Sequence, residues 1–110
     1  MENKNYKITI VQINTYKTLR IELIDFTKKY IERKNYLIFD SIKSALEKDE
    51  EYINTKIEIF EEAIKDNYYE IIKNNYFVAI DDWDINVLNV LQDKHKDIKM
   101  YKSRTTCDYK

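Results

Sequence analysis

A chain of 110 residues with no glycine and no proline lacks the usual devices for turning the backbone sharply. Glycine enters the left-handed region without a Cβ clash. In its absence, a position of positive φ falls to a residue such as asparagine, whose short polar side chain tolerates it. Tight hairpin turns are then costly, and helical crossovers between strands are favoured. The same absence removes whole classes of chemistry. A P-loop, a dinucleotide-binding glycine turn and a G-x-S-x-G elbow all need glycine, because a bulkier residue cannot take those backbone angles or approach a phosphate.

The remaining composition is that of a folded chain. Hydrophobic residues make up 44% and charged residues 35%, enough to bury a core and stay soluble, which argues against a disordered segment. The length fits one domain, residues 1–110, with a frayed polar tail over about 103–110. No apolar run approaches the roughly 18 residues of a membrane span, and the start, MENKNYKITI, carries no secretory apolar region. A lone thiol, Cys107, in the tail TTCDYK suits a reducing cytoplasm. Ile, Lys, Asn and Tyr account for 53 of the 110 residues. Their codons are AT-rich, which points to a low-GC bacterium, its phage or a virus, and which lowers the weight of the Lys and Tyr counts as signs of nucleic-acid binding.

Periodicity predicts an α+β fold (α/β being the variant): a small sandwich with a sheet of three to five strands and about three helices. Residues 6–14 alternate and are β-branched, as a strand requires. The next stretch has two readings. Leu19, Ile21 and Leu23 alternate with Arg20 and Glu22, which suits a second strand and a hairpin through Asn14–Thr18. Leu19, Leu23, Phe26 and Tyr30 also recur at helical spacing, and because that spacing persists longer, a helix over Thr15–Lys34 is preferred. Tyr36–Phe39 reads as a buried strand, followed by a helix capped by Asp40 or Ser41 and carrying Ile42, Ala45 and Leu46.

Asp49 with Glu50 and Glu51 marks another helix start, carboxylates beside free backbone amides. Ile53, Ile57, Phe60, Ile64, Tyr68 and Ile71 then form one apolar stripe, so a single helix is predicted over Glu50–Lys73, about 36 Å long. Asn74–Asn75 ends it. Tyr76–Ile80 is a second apolar strand, Asp84 caps a short helix carrying Ile85, Leu88 and Leu91, and Ile98–Tyr101 forms a last strand.

Charge is unevenly distributed. Residues 1–46 carry a net +4, residues 47–84 a net −8 and residues 85–110 a net +3. An acidic centre between basic ends is the main long-range feature of the sequence.

Several groups of residues could carry chemistry. In Asp81–Asp82–Trp83–Asp84, three carboxylates come at the end of a strand, where open sheets often place ligands, and Asp40 could join them around Mg²⁺ or Mn²⁺. Residues 77–101 have the order of the opening strand and helix of response-regulator receiver domains, which they resemble over about 25 residues. The nine residues beyond Tyr101 are too few to supply that family's phosphorylatable aspartate or its lysine, and the stretch reads as an apolar strand before a capped helix. Glu50/Glu51 and Glu61/Glu62 could pair as acid and base in a cleft, though glutamates this dense on a helix are usually solvated. His95 lies in a charged stretch that reads as an exposed loop, with nothing to orient Cys107 against it. Ser41, Ser44 and Ser103 read as a cap, a helix-face residue and a tail residue. Trp83, Tyr52, Tyr68, Tyr69 and Tyr76 are either core and rim packing or interface anchors. Lys28, Lys29, Arg33 and Lys34, with Lys94, Lys96, Lys99, Lys102 and Arg104, would make only a modest basic patch, so direct nucleic-acid binding is not expected.

The reading these features favour is a non-catalytic cytoplasmic binding protein that needs no cofactor. Its partner-facing residues would be Glu50, Glu51, Glu58, Glu61, Glu62, Asp66, Asp81, Asp82, Trp83 and Asp84, set against a basic, nucleic-acid-binding protein such as a nuclease. A phage or mobile-element inhibitor of a host defence nuclease (anti-CRISPR-like) and an immunity protein for a nuclease toxin both fit. The alternative is a small Mg²⁺- or Mn²⁺-dependent enzyme or nucleotide-binding protein using Asp40, Asp81, Asp82 and Asp84. A homodimer through the Ile53/Ile57/Phe60/Ile64 stripe is a third option.

Overall fold

A computed structural model of the chain describes residues 5–24, 26, 28–30, 48–81 and 85–102. Strand β1 (Tyr6–Ile13) pairs antiparallel with β2 (Tyr16–Leu23), and β2 pairs in parallel with β3 (Phe77–Asp81). β3 in turn pairs in parallel with β4 (Met100–Lys102), giving a mixed four-stranded sheet in the order β1-β2-β3-β4. Helices α1 (Glu50–Asp66), α2 (Tyr68–Asn74) and α3 (Ile85–Lys94) complete the described elements, and Phe26 and Lys28–Tyr30 are also helical. The α+β class predicted from the sequence is the class observed.

The predicted helix over Thr15–Lys34 is replaced by the hairpin. Ile13 pairs with Tyr16, so Asn14 and Thr15 make the whole turn, and Asn14 takes φ 57°. Asparagine supplies the left-handed residue that glycine would normally provide, and the expected cost of a glycine-free hairpin is largely avoided. The four-residue spacing that favoured a helix joins two different elements. Leu19 and Leu23 lie on β2, whereas Phe26 and Tyr30 belong to the helical residues beyond it.

α1 starts as predicted: the Asp49 carboxylate accepts from the backbone N–H of Glu51 at 2.9 Å and of Tyr52 at 3.3 Å. The expected continuous helix over Glu50–Lys73 is interrupted at Asn67, whose backbone (φ −114°, ψ 12°) leaves helical geometry. Its side-chain Nδ2 donates to the Ala63 carbonyl at 2.7 Å, offering the backbone an alternative to the next turn. The stripe breaks with it: Ile57, Phe60, Ile64 and Ile71 are buried, but Tyr68 is 42% exposed. Asn75 ends α2 in the left-handed conformation (φ 54°, ψ 44°).

One face of the sheet and the helices enclose the core, where Leu19, Ile21, Val78 and Ile80 meet Phe60, Ile64, Val87 and Leu91. Each is essentially inaccessible, and burying each contributes about 1.5–3 kcal/mol. The stripe offered as a dimer seam is therefore largely enclosed in the chain's own core, with Ile57, Phe60 and Ile64 fully covered and Ile53 partly so. Phe26, Tyr30 and Tyr52 form a ring cluster with centroids 5.1–5.7 Å apart, and the Lys56 ammonium lies 4.7 Å from the Tyr52 ring. No described helix is long and apolar enough to cross a membrane. The strand expected at Tyr36–Phe39, the helix after Asp40 or Ser41 and the tail from residue 103 lie outside the described residues.

Candidate interaction face

α1 carries six acidic residues against two lysines in seventeen positions. At about 100° per residue, its buried side chains Tyr52, Lys56, Ile57, Ile59, Phe60, Ala63 and Ile64 occupy one half of the helix. Glu50, Glu51, Glu58, Glu61, Glu62 and Asp66 all fall on the other half, within an arc of roughly 160°. Burial of the apolar half thus fixes the direction of the acidic half. Glu58, Glu62 and Asp66 succeed each other at i, i+4, a row in which like charges repel by about 0.2–0.5 kcal/mol per pair.

Not all of this charge is equally available. Glu50, Glu51, Glu58 and Glu62 are exposed. Glu61 is half-buried, and its Oε2 lies 3.4 Å from the Lys94 ammonium and 3.5 Å from His95 Nε2, at the C-terminal end of α3. His95, expected in an exposed loop, is therefore packed against α1, with only 19% of its side chain accessible. Asp66 accepts a hydrogen bond from the Tyr6 hydroxyl at 2.5 Å.

Asp81 is not brought together with α1. Along β3, Val78 and Ile80 point into the core, so Phe77, Ala79 and Asp81 face the other side of the sheet. Register places Glu22 beside Asp81 there, and Arg20 lies 3.0 Å from Glu22 and 4.0 Å from Asp81. Sequence reasoning missed this cluster, although Arg20 and Glu22 at i, i+2 in an alternating strand necessarily share a face. Asp40, Asp82, Trp83 and Asp84 lie outside the described residues. Among the described residues, no group of three or more His, Cys, Asp or Glu side chains could hold a metal ion.

The tyrosines divide. Tyr52 is core and Tyr76 packs against it, whereas Tyr68 and Tyr69 stand out from α2. The Tyr68 hydroxyl donates to the Asp97 carboxylate, and that bond, with lesser contributions from desolvation and the Asp97 charge, raises its pKa above the ordinary tyrosine value. Of the basic residues, Lys28 and Lys29 are exposed, Lys94 is engaged with Glu61, and the Lys99 ammonium lies 5.2 Å from the Phe77 ring. Arg33, Lys34 and Arg104 lie outside the described residues.

No family model, no curated protein and no solved structure matches this chain.

Proposed function

We propose that this chain is a small non-catalytic binding protein that presents the outward face of α1 to a basic, nucleic-acid-binding protein and blocks it. Glu50, Glu51, Glu58 and Glu62 are exposed on that face, while Glu61 is engaged by Lys94 and Asp66 by the Tyr6 hydroxyl. A carboxylate-bearing helix of this kind offers a nuclease or its effector complex a substitute for the phosphate backbone it would otherwise grip. A host defence nuclease inhibited by a phage or mobile element, and a nuclease toxin held by its immunity protein, are the two settings this chemistry fits.

The observation that carries the reading is the like-charge row Glu58–Glu62–Asp66 on the solvent side of a helix whose other half is core. The row works against local helix stability, and local conflicts of this sort concentrate at functional positions. The metal-dependent alternative uses Asp40, Asp81, Asp82 and Asp84, of which only Asp81 is among the described residues, with Arg20 4.0 Å from its carboxylate.

The test is affinity capture from a lysate of the native host, comparing the wild-type chain with a Glu58→Lys/Glu62→Lys variant. The expected result is a retained basic, nucleic-acid-binding protein that is displaced by short duplex DNA and absent with the variant. Retention of the same protein by both chains would overturn the reading.

A further inference from the structure

Three aromatic rings share the face of the sheet turned away from the helices. Tyr16 on β2 meets Phe77 on β3 edge-on, with ring centroids 4.7 Å apart, and Tyr16 is 54% exposed. Tyr101 on β4 lies on the same side: its hydroxyl donates to Thr18 Oγ1 at 3.3 Å, while its neighbour Met100 is in the core. Register sets Thr18 beside Phe77 and Ala79 beside Tyr101, so the rings form a diagonal across three adjacent strands. Two strand spacings and four residues of rise place the Tyr16 and Tyr101 backbones roughly 16 Å apart.

Lysines flank one end of that row. Phe77 and Tyr101 wall a groove of about 470 Å³ where α3 runs into β4, together with Gln92, Lys96 and Lys99. Residues 94–102 hold four lysines against one aspartate, and that aspartate, Asp97, is engaged by the Tyr68 hydroxyl. The Lys99 ammonium is held 5.2 Å from the Phe77 ring, with no carboxylate against it among the described residues. Lys96 pairs with Asp93 at 3.8 Å, where the side chains are 78% and 80% exposed, a contact that water and salt weaken. The side chains of Phe77, Gln92, Lys96, Lys99 and Tyr101 make all their hydrogen bonds, ion pairs and ring contacts with described residues.

We infer that this face binds single-stranded nucleic acid, with bases stacked on Tyr16 and Tyr101 and phosphates drawn to Lys96 and Lys99. Rings beside weakly paired ammonium groups match the two features of that ligand, a π-face on every base and a charge on every linker. An acidic peptide would satisfy the lysines and leave the rings unused. One nucleotide is too short for a row of this length, and a duplex keeps its bases stacked inside. In sequence order these lysines make only a modest basic patch; the fold adds the rings. Carboxylates of Glu22 and Asp81 occupy the other end of the face, which confines the strand to the hairpin end. The inference is independent of the proposed acidic-face function, whose residues lie on α1 across the core.

The test is fluorescence anisotropy of a labelled oligothymidylate of about eight nucleotides, with its duplex and thymidine monophosphate as competitors. Saturable binding of the single strand is expected, with log K falling against log salt at a slope of about −1.4 for two phosphates. Tyr16→Ala and Lys99→Glu are each expected to weaken it about tenfold, the fold being checked by circular dichroism. Lys65→Glu makes the same change of charge on α1 and is expected to alter binding by less than about twofold at about 0.15 M salt. The backbone amides of Phe77, Lys99 and Tyr101 are expected to shift in NMR spectra as the oligonucleotide is added. Absence of saturable binding, duplex or mononucleotide held as tightly as the strand, equal weakening by Lys65→Glu and Lys99→Glu, or NMR shifts confined to other residues would each overturn the inference.

Discussion

The hydroxyl of Tyr6 donates to the carboxylate of Asp66 at 2.5 Å, tying the first strand to the end of the acidic helix across sixty residues of sequence. The contact is partly buried and its acceptor is charged, so it lies in the range of about 1.5–3 kcal/mol. Tyr6→Phe is expected to lower stability by about 1–2 kcal/mol, measured by urea denaturation. A double-mutant cycle with Asp66→Asn should show strong coupling between the two. Independent, additive losses would mean that the two groups do not act as a pair.

The left-handed asparagines predict a ranking. At Asn75 (φ 54°) a Cβ is a steric burden and glycine has none. Asn75→Ala is expected to destabilise by about 1 kcal/mol, while Asn75→Gly is expected to be neutral or mildly stabilising. Thermal melts of the three proteins should therefore order glycine at or above asparagine and both above alanine. The same order is expected at Asn14 in the hairpin.

Tyr68 gives the fold an alkaline sensitivity. Its folded pKa is raised, so below the unfolded value of about 10 both states keep the proton and the hydrogen bond to Asp97 contributes fully. As pH climbs from there through the folded value, the unfolded chain loses its proton first and stability falls. The effect is small because the group is exposed. Tyrosine titration tracked by NMR should show Tyr68 ionising above the ordinary range, and Asp97→Asn should bring it back. An unshifted Tyr68 would contradict the contact.

Charge reversal on α1 is expected to separate stability from binding. Glu62→Lys replaces two repulsions, with Glu58 and Asp66, by two attractions at i, i+4, and gives up an i, i+3 attraction to Lys65. A gain of a few tenths of a kcal/mol is expected in denaturant unfolding. A marked loss of stability would show that Glu62 serves the fold.

Much of this fold was legible in the sequence because local chemistry and tertiary packing agree there. Asp49 has the right side chain and the right successors for a helix start, and it caps α1. Asn75 stands where a terminator was needed and adopts the left-handed conformation. The amphipathic pattern of α1 by itself assigns its acids to the outside. Two errors share one cause, since periodicity is blind to a change of element. Leu19 and Leu23 on a strand continued the spacing of Phe26 and Tyr30 on a helix, and Ile64 and Ile71 kept a stripe running through the break at Asn67. At the second break the Asn67 side chain decided the outcome by bonding back to the Ala63 carbonyl. Asp81 could not be assigned a side from its neighbours, because the wholly apolar run Phe77–Ile80 does not show which alternate set faces the helices.

The central claim is that the exposed carboxylates of α1 recognise a basic protein surface. The most direct measurement is the retention of host proteins by the wild-type chain and by the folded Glu58→Lys/Glu62→Lys variant, each challenged with duplex DNA. The account predicts a basic, nucleic-acid-binding protein held by the wild type, released by DNA and lost from the variant. Equal retention by the two chains, unaffected by DNA, would contradict it.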